Sequence, residues 1–292
     1  MKGILLAGGS GSRLYPLTKT TSKQLLAVYN KPMIYYPLST LMRYGIREVL
    51  VISTPQDTPN IQRLFGDGGS LGLDIRYAVQ ERPEGIAQAF LIGEHFVGGE
   101  DVCLILGDNV FYMDDQSIPL DMNSGMDGAT IFGYYVLNPQ RFGVIEFDRE
   151  YNVVSIEEKP ARPKSNIVSV GLYFYPGDVV AKAKSLRPST RNELEITDLN
   201  NLYVEEGRLK AVLLKQGAVW FDAGTYDSLM EAAHFVQIME KRQGLQIGCI
   251  EEIAYRSGFI SKGELISLAD TMGGSAYTDY LRRVCGGEDG IH

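Results

Sequence analysis

Arg13 and Lys23 follow a glycine-rich run, Gly8-Gly9-Ser10-Gly11-Ser12, that itself continues directly from an apolar stretch, Gly3 to Ala7. Successive backbone N–H groups in such a turn form a concavity for anions. Glycine permits the positive φ this needs, and the two basic side chains add full charges beside it. The chemistry that suits such a segment is the holding of polyphosphate. The surrounding charge agrees, because residues 1–47 contain seven Lys or Arg and no Asp or Glu, within a chain of net charge −8. Two better-known phosphate loops fail here. The Walker pattern G-x-x-x-x-G-K-[ST] needs Lys where Gly9 stands after Gly3 and Gly8. The dinucleotide fingerprint G-x-G-x-x-G needs a third glycine where Leu14 stands.

Acidic candidates lie at comparable places downstream. Val102 to Leu106 delivers Gly107-Asp108-Asn109, and Ala218-Val219-Trp220-Phe221 delivers Asp222-Ala223-Gly224-Thr225. Two carboxylates beside phosphate oxygens suit Mg²⁺, which takes one or two carboxylates and completes its shell with substrate phosphates and water. Asp and Asn also favour turns, and Asp222 could instead support a helix start at Thr225, so spacing alone leaves both readings open. A further cluster, Glu157-Glu158-Lys159-Pro160, reads by itself as a solvated turn after a strand. The three histidines, His95, His234 and His292, lie outside every motif.

These residues need a scaffold. Lys2 to Ala7, Glu48 to Ser53, Asp74 to Gln80 and Val102 to Leu106 read as buried strands, with helices predicted over Lys31 to Tyr44 and Gly85 to Phe96. Pro32 suits a first helical position. Strands separated by helical crossovers imply an α/β fold with a parallel sheet, whose ligands bind outside the carboxyl ends of the strands, where the glycine loop sits. Beyond residue 128 longer β segments, Ala129 to Leu137, Gly143 to Phe147, Val153 to Ile156 and Ile167 to Tyr175, suggest a mixed-sheet lobe. Helices return at Asp178 to Leu186, Ile196 to Glu206 and Thr225 to Arg242, and residues 243–292 read as a small helical appendage.

Composition bounds the partners. A chain of 292 residues, 45% hydrophobic, can bury a large core. Its acidic balance argues against a nucleic-acid surface. Three widely spaced cysteines, Cys103, Cys249 and Cys285, offer neither a disulfide framework nor a zinc site and read as reduced cytosolic thiols. No apolar run approaches the roughly 20 residues that span a bilayer.

The motifs Leu6-Ala7-Gly8-Gly9-Ser10-Gly11-Ser12-Arg13-Leu14, Ser22-Lys23-Gln24, Lys31-Pro32-Met33-Ile34, Leu106-Gly107-Asp108-Asn109, Arg141-Phe142-Gly143-Val144, Glu158-Lys159-Pro160, Glu193-Leu194-Glu195-Ile196-Thr197-Asp198 and Trp220-Phe221-Asp222 occur in order along the chain. Together they resemble the sugar-1-phosphate nucleotidyltransferases, most closely the thymidylyltransferase branch. That family typically has Tyr where Phe142 stands and often Thr where Ala223 stands; neither change removes a charge. The resemblance implies a Rossmann-like, mixed, mostly parallel sheet flanked by helices. A catalytic domain over 1–242 would hold nucleotide-binding and sugar-binding lobes, and the appendage over 243–292 would make oligomer or regulatory contacts. It also implies Mg²⁺-dependent transfer of a thymidylyl group from dTTP to glucose 1-phosphate, giving dTDP-glucose and pyrophosphate, as the first step towards dTDP-rhamnose. The setting it implies is a cytoplasmic homotetramer.

Roles carry over residue by residue. Arg13 would stabilise the leaving pyrophosphate, Lys23 the triphosphate, and Lys159 the phosphate of the sugar phosphate. Leu6, Gly8, Gly9 and Gly11 would line the nucleotide site, with Gln24, Gln80 and Gly85 near the thymine edge. Asn109, Glu158 and the backbone around Gly143 and Val170 would meet the sugar, and Asp108 and Asp222 would hold Mg²⁺. Glu252 and Arg256 are candidates for a second, regulatory nucleotide-sugar site. A phosphate monoester, with second pKa of about 6, is already largely dianionic at neutral pH, so the absence of a motif histidine is no obstacle. The alternatives are a uridylyltransferase on the same scaffold and a non-catalytic nucleotide-sugar sensor. A retired enzyme would be expected to lose some of Arg13, Lys23, Asp108 and Asp222, all present here.

Overall fold

The computed structural model of the protein describes residues 1–9, 11–113 and 125–287. Along the first half run β1 (Lys2–Ala7), a ribbon of β2 (Ala27–Val28) and β3 (Lys31–Pro32), α1 (Tyr35–Arg43), β4 (Glu48–Ser53), α2 (Thr58–Phe65) and β5 (Asp74–Val79). Then come α3 (Gln88–Ile92), α4 (Glu94–Val97), β6 (Val102–Leu106) and β7 (Asn109–Tyr112). The second half holds β8 (Ala129–Tyr135), β9 (Gly143–Phe147), β10 (Val153–Glu158), β11 (Ile167–Tyr175), α5 (Val179–Ser185), α6 (Ile196–Glu205), β12 (Leu209–Leu213), β13 (Val219–Asp222) and α7 (Tyr226–Gln243). Three helices close the chain: α8 (Ile250–Arg256), α9 (Lys262–Thr271) and α10 (Ala276–Gly286).

β1 lies inside a nine-stranded sheet, parallel to β4 on one side and β6 on the other, with Leu5 opposite Val51 and Ile105. Its alternation divides the core. Leu5 and Ala7 face a cluster built with Leu38, Leu41 and Met42 of α1, whereas Ile4 and Leu6 face one built with Phe90 of α3 and Leu199 of α6. Burial on both faces explains why these strands read as unbroken apolar runs. It also fixes where they end, since the first glycine after β1 can no longer fill either layer.

The later strands extend this same sheet. β11 runs antiparallel to β6 through Leu172 to Tyr175 and pairs with β8 on its other edge. Toward its start it exchanges β6 for β9, with Val168 opposite Val144, and a register shift lies between Ser169 and Tyr173. The expected mixed-sheet lobe is therefore continuous with the parallel half, and the change of neighbours falls around Val170 and Gly171.

Two expected helices differ. Lys31 and Pro32 form a strand, paired with Val28 and Ala27, and the helix starts only at Tyr35. The cause is tertiary: Met33 N donates to Leu26 O and Ile34 N to Gln24 O, folding the segment back on itself. The span 85–96 begins with Gly85 at φ +106, where a Cβ would lie 2.3 Å from Leu194 O, and breaks into α3 and α4 at Gly93.

Lys31 is also a buried cation, 3% exposed, bound to Glu240 Oε1 at 2.9 Å and to Asn30 Oδ1 at 2.6 Å. Asn30 Nδ2 and Ile247 N donate to the Glu240 carboxylate, and the Tyr36 and Tyr277 rings lie under the ammonium. Removing one partner strands the other in an enclosed site. Lys31→Ala is expected to cost about 3–5 kcal/mol in urea unfolding, with much of it recovered when Glu240→Leu is added to Lys31→Met.

Ile250, Ala254, Leu265, Leu281 and Val284 of the last three helices join the same apolar cluster as α1. Among the described residues no helix is long and apolar enough to cross a membrane.

Candidate functional site

Past β1 the chain turns through Gly8, Gly9 at φ +99 and Gly11 at φ +57. Gly8 is held between two glutamines: Gln24 Nε2 donates to its carbonyl at 3.1 Å, and a Cβ on it would lie 2.2 Å from Gln80 Oε1. Gln80 is itself placed by its own N–H to Ser53 O, which continues the β5 ladder, and by Nε2 donating to Gln88 Oε1 at 2.6 Å. Gln24, Gln80 and Gly8 thus meet, as expected. Gly85 reaches the same neighbourhood through Glu84, whose N–H donates to Gln88 Oε1.

A short 3₁₀ turn, Ser12–Leu14, then presents Arg13 outward while Leu14 anchors it in the core. A second, Lys23–Leu25, presents Lys23. Gly9, Gly11, Ser12, Arg13, Lys23 and Gly224 line one cavity of about 180 Å³. The glycine run and the two basic side chains thus share one cavity.

The carboxylates arrive on a separate ribbon. β7 and β13 pair antiparallel, setting Asn109 opposite Asp222, and Ala223 N donates to Asp108 O at 3.0 Å. Lys23 Nζ forms an ion pair with Asp108 Oδ2. A methyl group built on Gly224 would lie 2.9 Å from Asp222 Oδ1 and 3.0 Å from Arg13 Nη2, so both side chains border the bare backbone of Gly224. Arg13 and Lys23 line the cavity, Asp108 adjoins it through its ion pair with Lys23, and Asp222 adjoins it beside Gly224.

Their electrostatics differ. Burial pushes the Asp108 carboxyl up, but the charge and hydrogen bond of Lys23 and the amide of Asn109 outweigh it and hold Asp108 below the usual carboxylate range. Asp222 is held above that range, by burial first and by the Asp108 charge second, against the pull of Arg13, Lys23 and Arg141. Two carboxylates that repel one another beside an anion cavity fit a hard divalent cation. Among the described residues no group of three or more His, Cys, Asp or Glu side chains gathers as a cage. A cation here would therefore draw the rest of its shell from phosphate oxygens and water.

Asn109 is spent largely on the protein. Its Nδ2 donates to Asp108 Oδ1 at 2.9 Å, while its Oδ1 accepts Trp220 Nε1 at 2.5 Å and Gly171 N at 3.1 Å. Its visible task is to orient Asp108.

The remaining candidates gather on β9, β10 and β11. Gly143 lies opposite Glu158, and a Cβ on it would lie 2.9 Å from Thr197 Cγ2. Lys159, at φ +47, donates its N–H to Phe142 O and pairs its Nζ with Glu158 Oε1 at 3.1 Å. Val170 is fully buried where β11 changes neighbours. Tyr173 links the two halves of the cleft: burial raises its hydroxyl pKa, and the charges of Glu158 and Asp108 both add to the rise. Buried polar atoms without a partner among the described residues include Ser22 Oγ and Gln24 Oε1 at one end and Thr197 Oγ1 at the other.

Two further basic residues, without a role in the motifs, stand beside Glu158 and Asp222. Arg191 binds Glu195 Oε2 at 2.7 Å and reaches Glu158 Oε1 at 3.5 Å. It stands two residues before the motif that was read, and the acid-rich run beginning at Glu193 was the available signal. Arg141, inside a motif that was read, reaches Asp222 Oδ2 at 3.7 Å. Glu252 and Arg256 lie elsewhere, on α8, where Glu252 accepts from Tyr280 OH at 2.6 Å and from Arg256 Nε at 2.8 Å. They do not line the cavity.

Comparison with known proteins follows the same outline. The Nucleotidyl transferase family model matches residues 2–238. Glucose-1-phosphate thymidylyltransferase of Neisseria meningitidis serogroup A is 54% identical over 285 residues, covering 97% of this chain and 99% of that protein. Its counterpart in Mycobacterium tuberculosis is 50% identical over 281 residues, covering 96% and 98%. A Bacillus anthracis structure described as a glucose-1-phosphate thymidylyltransferase, in complex with sucrose, superposes with a TM-score of 0.75 at 40% identity, covering 80% of this chain and 94% of that one. A UDP-glucose pyrophosphorylase complexed with UDP-glucose shares the fold, with a TM-score of 0.70 at 23% identity and coverage of 82% and 98%. With a family match over most of its length and relatives at half identity or better across nearly all of it, the chain belongs to the nucleotidyl transferase family.

Proposed function

We propose that the protein transfers the thymidylyl group of dTTP to glucose 1-phosphate, releasing pyrophosphate and giving dTDP-glucose. The observation that carries this reading is a glycine-lined cavity with Arg13 and Lys23 in its wall, Asp108 paired to that Lys23 and Asp222 beside its Gly224. A phosphate oxygen of the sugar phosphate attacks the α-phosphorus, and the bond to the β,γ-pyrophosphate breaks. No proton needs to be moved, so the protein's task is to bring two anions together and to stabilise the charge that leaves.

Each side chain then has a place. Arg13 meets the pyrophosphate as charge builds on it, and Lys23 binds the triphosphate beside Gly9 and Gly11. Asp108 and Asp222 hold Mg²⁺, which when bound neutralises phosphate charge. Lys159, with Arg191 beside the same Glu158, receives the phosphate of the sugar phosphate. Glu158, Gly143, Val170 and Asn109 contact the sugar, while Leu6, Gly8, Gln24, Gln80 and Gly85 contact the nucleotide. Residues 1–242 carry this chemistry, and residues 243–292, with Glu252 and Arg256, supply contacts between copies of a cytoplasmic homotetramer and a regulatory site. The three buried thiols are consistent with a reducing compartment.

Pyrophosphate release with glucose 1-phosphate and each nucleoside triphosphate, with and without Mg²⁺, tests the reading. Turnover is expected with dTTP and only when the divalent cation is present. Thymine and uracil differ by one methyl group, which in an apolar pocket distinguishes substrates by about 10- to 200-fold, so dUTP, which shares the deoxyribose of dTTP, is expected to lag it in kcat/KM within that range. Absence of turnover with dTTP, or a preference for CTP or GTP, would overturn the assignment.

A further inference from the structure

Lys23 holds two positions at once. Its ammonium is paired with Asp108 Oδ2, and it also lines the cavity formed by Gly9, Gly11, Ser12, Arg13 and Gly224. The pair is enclosed, with the side chains only 15% and 11% exposed, so solvent screens it little. The other carboxylate oxygen of Asp108 already accepts from Asn109. Each oxygen of the carboxylate therefore already holds one donor, and the one facing Lys23 holds a full positive charge. Asp222 differs, because its basic neighbour Arg141 stands 3.7 Å away and is half exposed.

We infer that Lys23 is an exchangeable counter-ion, standing on Asp108 in the free enzyme and passing to the triphosphate when nucleotide and divalent cation bind together. This rests on the reading that Asp108 and Asp222 hold the cation. A lysine suits the exchange, being a compact charge on a flexible four-carbon stem, unlike the planar fork of arginine. A divalent ion approaching Asp108 alone meets an ammonium at the oxygen it needs. A nucleotide approaching alone must draw Lys23 from its carboxylate and leave Asp108 buried without a cation. Arriving together, each removes the other's obstacle: phosphate oxygens take the ammonium and the divalent ion takes the carboxylate. Nucleotide and metal then raise one another's affinity by the same factor.

Mn²⁺ titration of nucleotide-free enzyme, following the free-ion paramagnetic signal, reads the exchange without turnover. Lys23→Met keeps the stem and removes the charge, and is expected to bind Mn²⁺ about tenfold tighter or more than the wild-type enzyme. Lys23→Gln serves as a second neutral variant should the first fold poorly. Lys23→Arg keeps the charge and is expected to stay as weak as wild type. Neutral variants that bind Mn²⁺ no better than wild type, while Asp108→Asn abolishes binding, would overturn the exchange and leave the metal site standing. Binding that Asp108→Asn does not affect would instead remove the metal site on which the inference rests.

Discussion

Arg13→Ala is expected to lower kcat by about 10³- to 10⁵-fold, the range in which an arginine facing transition-state charge contributes to phosphoryl transfer. The side chain is exposed, it makes no ion pair within 4 Å among the described residues, and its guanidinium lies over Gly224 beside Asp222. Its removal breaks no ion pair, and Asp222, already held above the usual carboxylate range, keeps Lys23 and Arg141 as cationic neighbours. Folding stability should accordingly change by no more than about 0.5 kcal/mol, the usual span for a surface substitution. Because the charge it meets develops only as the pyrophosphate departs, the loss should fall on kcat more than on KM for dTTP. Arg13→Lys should recover part of the rate, since an ammonium supplies charge without the two-pronged geometry. Steady-state pyrophosphate release beside a thermal melt separates these effects. Turnover near that of the wild type with an intact fold would remove Arg13 from the reaction.

The second large effect is expected for Asp108→Asn. The substitution preserves shape but removes the charge that pairs Lys23 and, on the proposed reading, half of the protein's hold on Mg²⁺. A metal that stabilises phosphoryl charge contributes several kcal/mol, so turnover should fall by about 10³-fold or more and the Mg²⁺ requirement should rise. Stability follows a definite sign. A carboxyl whose folded pKa lies below its unfolded value of about 3.9 stabilises the fold above that pH and loses the contribution as pH falls through the folded value. Wild type should therefore be more stable than the variant at neutral pH, and the difference should close in acid. Equal turnover in variant and wild type at limiting Mg²⁺ would refute the assigned role.

The places of the glycine turn and of Asp108 are legible because each follows an apolar run buried on two faces, whereas Asp222 ends a half-buried strand whose place depends on pairing with β7. Such runs in β1, β4, β6, β9 and β11 correspond to strands residue for residue. The residues after the parallel neighbours β1 and β6 leave the sheet at one shared edge. Lys31 and Pro32 were misread because helical phase and a leading proline are local signals, while their strand depends on Ala27 and Val28 and on a buried Glu240 more than 200 residues away. The helix expected from Gly85 fails because no local pattern shows the Leu194 backbone against it. Arg141 and Arg191 went unassigned for a related reason. Each acquires its place from partners on other strands and turns, Asp222 for one and Glu158 for the other.

Trp220 is the only tryptophan in the chain, and its indole N–H is donated to Asn109, the residue that also orients Asp108. The molecule thus carries a native optical reporter wired to the ribbon that bears Asp108 and Asp222. Excited at the red edge, where the tyrosines are dark, its emission should register each occupant of the cleft without a label, so that affinities and arrival rates can be followed in unmodified enzyme.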